Sequence, residues 1–360
     1  MGYTGHGQIA MILDTGMDRD HPSLINNWRG LYFPGQGYTG IGPEPTDCNG
    51  HGSHVTGTVA GINRITRDTI GVAFNAHWIA APIDLAGGCT DIGLTTIGTF
   101  QFALNPDGDI STSSDMPAAI NNSWGGGPGC GNNTTLSNTL TNLETAGIGV
   151  VWAAGNSGPG ASTVSSQADI TLSLVNTFAV GWLNGNNPSF PISGGSSRGP
   201  SACGDTGSLL IKPEVSAPGS QVRSCNGNGG FMSISGTSMA SPHVTGSIVL
   251  LKEAFPELTG EEIKLALYFT CTDLGVTGED NTYGMGIIDV EAAFNYLVDQ
   301  GNVPADPIVS NDVIAVTMDI DQRHCSGSFE GTVEFENGGT ANLTEMDIVY
   351  ELKTGADVLD

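Results

Sequence analysis

Ser235-Gly-Thr-Ser-Met-Ala-Ser-Pro-His243 stands at the entry to a long apolar helix, expected over Ser241–Ala254 with Pro242 tolerable in its first turn. Ser238 would then sit at a helix N-terminus, where backbone N–H groups and the dipole favour a developing anion. A serine at that place also serves as an ordinary N-cap, so the stretch takes its meaning from the chain before it. There, Gln8–Leu13, Trp78–Ile83, Ala118–Asn122, Gly149–Ala153 and Phe178–Trp182 read as continuous apolar strands. Helical patterns at Gly50–Gly61, Thr90–Leu104 and Thr135–Ala146 separate them, and Gly260–Tyr268 and Val290–Val298 follow later. Strand–helix alternation with strands apolar throughout predicts an α/β, doubly wound, mostly parallel sheet covered on both faces. In such a sheet chemistry collects in the loops beyond the strand C-termini.

The chain has 360 residues, enough for two domains, with 37 acidic and 11 basic residues and a net charge of −26. That charge argues against nucleic acid or an anionic membrane surface as a partner. No apolar run is long enough to cross a membrane. Met1–His6 lacks a basic segment followed by an apolar one, so a signal peptide is not expected here, and the sequence reads as a mature form or a trimmed piece with any targeting or pro-segment already gone. Seven cysteines are too few and dispersed for a disulfide-built scaffold, and those in Gly/Asn-rich loops fit an oxidising compartment. The α/β pattern is expected to occupy residues 1–301, with a proline-bearing linker over 302–307 and a β-rich accessory segment over 308–360. In that segment Asp312–Asp319 and Thr332–Glu336 alternate like half-buried strands, and Asn337-Gly-Gly-Thr340 offers a hairpin turn. It resembles a partial β-sandwich, either incomplete or packed on the first domain.

Three further segments stand at strand ends. Asp14, in Ile12-Leu-Asp-Thr-Gly16, follows the first strand and alone reads as a turn residue. Asn49-Gly-His-Gly-Ser-His-Val-Thr-Gly-Thr58 opens a helix with His51 and His54 one turn apart. A zinc site would need further ligands and the inward glutamate of HExxH, which is missing. Val150-Val-Trp-Ala-Ala-Gly-Asn156 is a buried strand ending in Gly-Asn. Two literal matches fail on context. Gly195-Ser-Ser-Arg-Gly199 is followed by Pro200 and no helix, and Gly35-Gln-Gly-Tyr-Thr-Gly40 by Pro43 and Pro45.

Together these segments resemble the subtilisin family of serine proteases, in the Asp…His…Ser order of that family. Ser196-Ser-Arg-Gly-Pro200 and Lys212-Pro-Glu-Val-Ser-Ala-Pro-Gly219 add to the likeness, which covers roughly residues 5–300. Ile70-Gly-Val-Ala73, Trp78-Ile-Ala-Ala81, Phe100-Gln-Phe-Ala103 and Asn121-Asn-Ser-Trp-Gly-Gly-Gly-Pro-Gly129 bring it nearest to the bacillopeptidase F-like branch. Ser53, Thr56 and Glu214 depart conservatively from the usual Thr, Ala and Asp.

The resemblance implies a secreted endopeptidase of broad specificity, with Ser238 as nucleophile, His51 as base, Asp14 as its orienter and Asn156 in the oxyanion hole. His54 would pack helix on sheet. An extended substrate would lie along Ser123, Trp124, Gly125 and Gly126, with Ala153, Ala154 and Gly155 walling a roomy pocket for large apolar residues. No cofactor is required for the chemistry. Structural calcium is allowed, with Asp18 and Asp20 as weak candidates for a metal whose ligands are otherwise unknown. Disulfides are expected between Cys48 and Cys89 and between Cys203 and Cys225. Protein or peptide substrates, a monomeric state and a propeptide in the precursor complete the expectation. Keeping all four chemical groups argues against a non-catalytic binding protein.

Overall fold

Alternation along each buried strand decides how the sheet divides the molecule. A computed structural model describes residues 2–40, 44–83, 96–131, 133–307, 313–320, 331–337, 352–354 and 357–359. It divides into two units, Met1–Ile308 and Val309–Asp360. The first unit runs β1 (Ile9–Asp14), α1 (Arg29–Tyr32), α2 (His51–Ala60), the short pair β2 (Ile62–Asn63) and β3 (Asp68–Thr69), β4 (His77–Pro82), α3 (Thr96–Ala103) and β5 (Ala119–Asn122). It continues with α4 (Thr134–Thr145), β6 (Gly149–Ala153), β7 (Phe178–Leu183), β8 (Val215–Pro218), the hairpin β9 (Val222–Cys225) and β10 (Phe231–Ile234), then α5 (Thr237–Ala254), α6 (Gly260–Phe269) and α7 (Val290–Asp299). The second unit holds the antiparallel pairs β11 (Val313–Ile320) with β12 (Gly331–Asn337) and β13 (Leu352–Thr354) with β14 (Asp357–Leu359). Both strands expected there from the alternation are present, while the turn from Asn337 to Thr340 lies outside the described residues.

The main sheet is parallel, in the order β4-β1-β5-β6-β7-β8. Because side chains alternate across a strand, Ala10 and Ile12 enter one core with Val55, Val59 and Val244, from α2 and α5. Ile9, Met11 and Leu13 enter the other core, beside Phe100 of α3 and Leu140 of α4. The same parity sends Ala119 and Val151 to the α2/α5 side, and Ile120, Val150 and Trp152 to the α3/α4 side. After β1 the chain builds β4 on one flank and then crosses to β5 on the other. The strand ends of β1 and β5 therefore flank the topological switch point, the natural crevice of such a sheet.

One reading needs correction. Helix α5 starts at Thr237 rather than Ser241, so Pro242 lies inside it. Proline has no N–H to give the Ser238 carbonyl four residues earlier, and the Ser123 hydroxyl donates to that carbonyl instead, at 2.9 Å. Ala305, in the stretch read as a linker, makes two hydrogen bonds. The Ala305 N–H donates to the Ala254 carbonyl at 2.8 Å and Tyr3 Oη to the Ala305 carbonyl at 2.6 Å.

The chain start is fixed at the far end of α5, where Glu253 Oε2 accepts the N–H groups of Thr4, Gly5 and His6 at 2.7, 2.6 and 3.2 Å. Glu253 is buried, so Glu253→Ala leaves these donors without their acceptor. It is expected to cost about 2–3 kcal/mol, read from chemical denaturation; a loss below about 0.5 kcal/mol would show that water replaces the carboxylate.

Candidate active site

Asp14 ends β1 with the parity of Ala10 and Ile12, so its carboxylate faces α2 and is fully buried. Oδ1 accepts the Thr15 N–H at 2.8 Å and meets His51 Nδ1 at 2.6 Å. His51 is the first residue of α2. Such an approach requires the helix start to lie against the β1 turn, and Gly52 permits it: a Cβ there would fall 1.9 Å from the Gly16 carbonyl oxygen. Burial pulls the His51 pKa down, but the charge of Asp14, the hydrogen bond to it and the charge of Asp47 outweigh that, and the imidazole ends above its usual 6.5. With Nδ1 engaged by Asp14, Nε2 is the nitrogen available to the cleft.

Ser238 is the second residue of α5, where an N–H has no intrahelical acceptor. Its side chain is at the surface of the cleft with 9% exposure. In this structure the hydroxyl donates to the Ser123 carbonyl at 3.1 Å, rather than to His51 as the resemblance implied. A buried hydroxyl network fixes the helix start to the end of β5. Ser123 Oγ lies 2.9 Å from Ser241 Oγ and accepts from Asn121 Nδ2 at 2.9 Å, and Thr245 Oγ1 donates to Asn121 Oδ1 at 3.1 Å. Asn121 and Ser123 share the parity of Ala119, which explains why both reach α5.

Asn156 follows Gly155, whose φ of +110° and close approach (a Cβ would lie 2.3 Å from Ser165 Oγ) only glycine tolerates. Asn156 Oδ1 accepts both the N–H and the hydroxyl of Thr237, at 3.0 and 2.9 Å. That leaves Nδ2 as a donor toward the cleft, which Asn156 and Ser238 both line.

These groups line one cleft of about 400 Å³. His51, Ser238 and Asn156 share it with Ser123, Trp124, Gly125, Gly126, Ala153 and Gly155. Ala154 does not line it: its parity is that of Val150 and Trp152, and its side chain is fully buried in the α3/α4 core. Trp124 both lines the cleft and packs edge-on against Trp152, with centroids 4.9 Å apart. The Gly126 N–H is already given to Gln167 Oε1 at 2.7 Å, so it is not free to pair with a substrate in this state. Thr15, Asn49, Ser157, Ser165 and Thr237 also line the cleft and were not singled out from the sequence. Thr15 and Thr237 adjoin singled-out residues, whereas Ser165 lies in an irregular stretch with no sequence signal.

His54 is buried, with Nε2 2.9 Å from the Val222 carbonyl, and burial pushes its pKa down to about 4. It packs α2 on β9. Among the described residues no group of three His, Cys, Asp or Glu side chains could hold a metal. Of the calcium candidates, Asp18 Oδ2 accepts the Gly229 N–H at 3.2 Å, and Asp20 pairs with Arg19.

Cys203 pairs with Cys130, not with Cys225. Cys225 is a free, buried thiol in β9, packed beneath α2, and burial raises its pKa to about 12. Cys130 ends the glycine run of the cleft wall, where the Gly131 N–H donates to the Ser166 carbonyl at 2.8 Å. Cys48 is disulfide-bonded, and its expected partner Cys89 lies outside the described residues. No helix among the described residues is long and apolar enough to cross a membrane.

The sequence profile of the subtilase family, Peptidase_S8, matches residues 5–286. The chain belongs to the subtilase family. Among related subtilases, bacillopeptidase F of Bacillus subtilis (strain 168) is 29% identical over 99% of this chain and 25% of its own length. An alkaline protease of Alkalihalobacillus alcalophilus is 31% identical over 81% of this chain and 65% of its own. The chain thus spans a quarter of the first relative and 65% of the second. The solved structure of sphericase superimposes with a TM-score of 0.65 at 27% identity, over 81% of this chain and 94% of that one. The doubly wound, mostly parallel subtilase fold and the bacillopeptidase F likeness expected from the motifs both stand.

Proposed function

We propose that this subtilase is a secreted serine endopeptidase of broad specificity. Ser238 Oγ attacks the scissile carbonyl carbon while its proton passes to His51 Nε2. Asp14 holds the imidazole by Nδ1 and stabilises its cationic form. The oxyanion is taken by Asn156 Nδ2 and the Ser238 N–H. The imidazolium then protonates the leaving amine, and water releases the acyl group from Ser238 by the same route in reverse. The observation that carries this reading is the 2.6 Å Asp14–His51 contact opening on the same cleft as Ser238 and Asn156.

Of the described residues lining the cleft, only His51 is titratable, so selection there rests on shape. The glycines of the wall leave room for a large apolar side chain, and no cofactor takes part. A monomer made from a precursor with a propeptide belongs to the same reading. A fluorophosphonate probe tests it: labelling mapped to Ser238 in folded protein supports it, and unlabelled folded protein overturns it. Cleavage of simple esters without any cleavage of peptides would make the chain an esterase.

The base must be neutral to act. Because the His51 pKa is raised, activity is expected to fall as pH drops through a value above 6.5. Stability linkage runs the other way. A raised folded-state pKa favours the protonated fold, so this contribution is complete below about 6.5 and is lost as pH rises through the folded value. A kcat/KM profile flat down to pH 4 would remove His51 as the base.

A further inference from the structure

Asp47 lies in the loop before α2, outside the four groups given chemical roles above. Its carboxylate is the most heavily used acceptor near the cleft. Oδ1 accepts from Thr15 Oγ1 at 2.9 Å, Asn49 N at 3.2 Å and Gly50 N at 2.9 Å. Oδ2 accepts from Ser53 N at 2.7 Å and Ser53 Oγ at 2.6 Å. Thr15 Oγ1 in turn accepts the Gly52 N–H at 3.0 Å. Thr15 adjoins Asp14, and Gly52 adjoins His51. One carboxylate therefore ties the strand end carrying Asp14 to the helix start carrying His51.

Local structure makes this tie necessary. Helix α2 begins after Gly50, which has no side chain to cap the first turn. Asp47 supplies the missing cap from outside the helix. It also places a negative charge at the positive end of the α2 dipole, where His51 is the first residue; without it the dipole would disfavour the imidazolium. The titratable groups around the imidazole are Asp14 from β1, Asp47 from the loop and His54 one turn along α2. His54 is neutral above about pH 4.

We propose that Asp47 is a positioning residue for the reaction, acting through His51 by stitching α2 to the end of β1 and balancing the charge at the helix start. This rests on the assignment of His51 as the base. Asp47→Asn keeps the shape and one acceptor but removes the charge. The acid limb of its kcat/KM profile is expected to move down by about 0.2–0.7 pH unit, with KM little changed. A limb that superimposes on the wild type overturns the proposal, even if thermal stability falls. NMR titration of His51 in the Ser238→Ala background should show the same downward shift without any turnover, and an unshifted imidazole overturns the proposal again. That measurement separates the two claims: a wild-type protein with no peptidase activity defeats the enzymatic reading, whereas an active one with an unmoved His51 defeats only the role of Asp47. Should Asp47→Asn fail to fold, Thr15→Val breaks the same tie and keeps the charge. A lower kcat at unchanged KM, recovered in Thr15→Ser, supports the proposal; an unchanged kcat overturns it.

Discussion

Replacing Ser238 with alanine is expected to lower kcat by about 10⁶-fold, a magnitude established on a member of this same family, and to leave the fold intact. The substitution removes a single oxygen whose one hydrogen bond goes to the Ser123 carbonyl, so its cost in stability is about 1 kcal/mol. The remaining cleft, with Asn156 and the helix N-terminus in place, would still bind substrate. KM is therefore expected to move little, and fluorophosphonate labelling to vanish. Thermal denaturation alongside the kinetics checks that the loss is chemical. Turnover within about tenfold of the wild type in a folded variant would take Ser238 out of the reaction.

Asn156→Leu is expected to lower kcat by about 10²–10³ with little effect on KM, again a magnitude taken from a family member. The geometry explains why the effect should fall on kcat. Two donations from Thr237 hold Asn156 Oδ1, so Nδ2 is oriented before substrate arrives and need not reorganise as charge develops. Leucine keeps the bulk and loses the donor. Thr237→Val should produce a smaller fall, because one of the two restraints survives through the backbone. A large rise in KM at unchanged kcat in Asn156→Leu would mean that the amide binds the ground state instead.

Much of this site was legible because its residues follow features that sequence displays directly. Asp14 ends an apolar strand, His51 begins a small-residue helix, and Ser238 precedes a long apolar one. Ala154 shows where the reading went astray and how it could have gone right. The family resemblance places it with Ala153 and Gly155 on the pocket wall, yet strand parity puts it with Val150 and Trp152, in the opposite core. The start of α5 was misplaced because Pro242 normally marks a first turn, and the partner that makes an earlier start tolerable, Ser123, lies 115 residues upstream. Asp47 was invisible for a related reason. An aspartate before a glycine loop is common, and only the fold gathers Thr15, Gly50 and Ser53 around it. Cysteine pairing was beyond reach, since Cys130, Cys203 and Cys225 all sit in loop-like sequence and only the burial of β9 separates them.

The alternation of β5 and β6 between two cores means that tolerance to mutation should be striped along these strands. Positions 119, 121, 151 and 153 back the cleft or its supporting helix, whereas 120, 150, 152 and 154 face the α3/α4 compartment, which reaches the cleft through Trp124 packed on Trp152. Heat resistance is then expected from repacking that second compartment away from Trp152, since the Trp152 ring touches Trp124 of the cleft wall and a change there would reach the cleft.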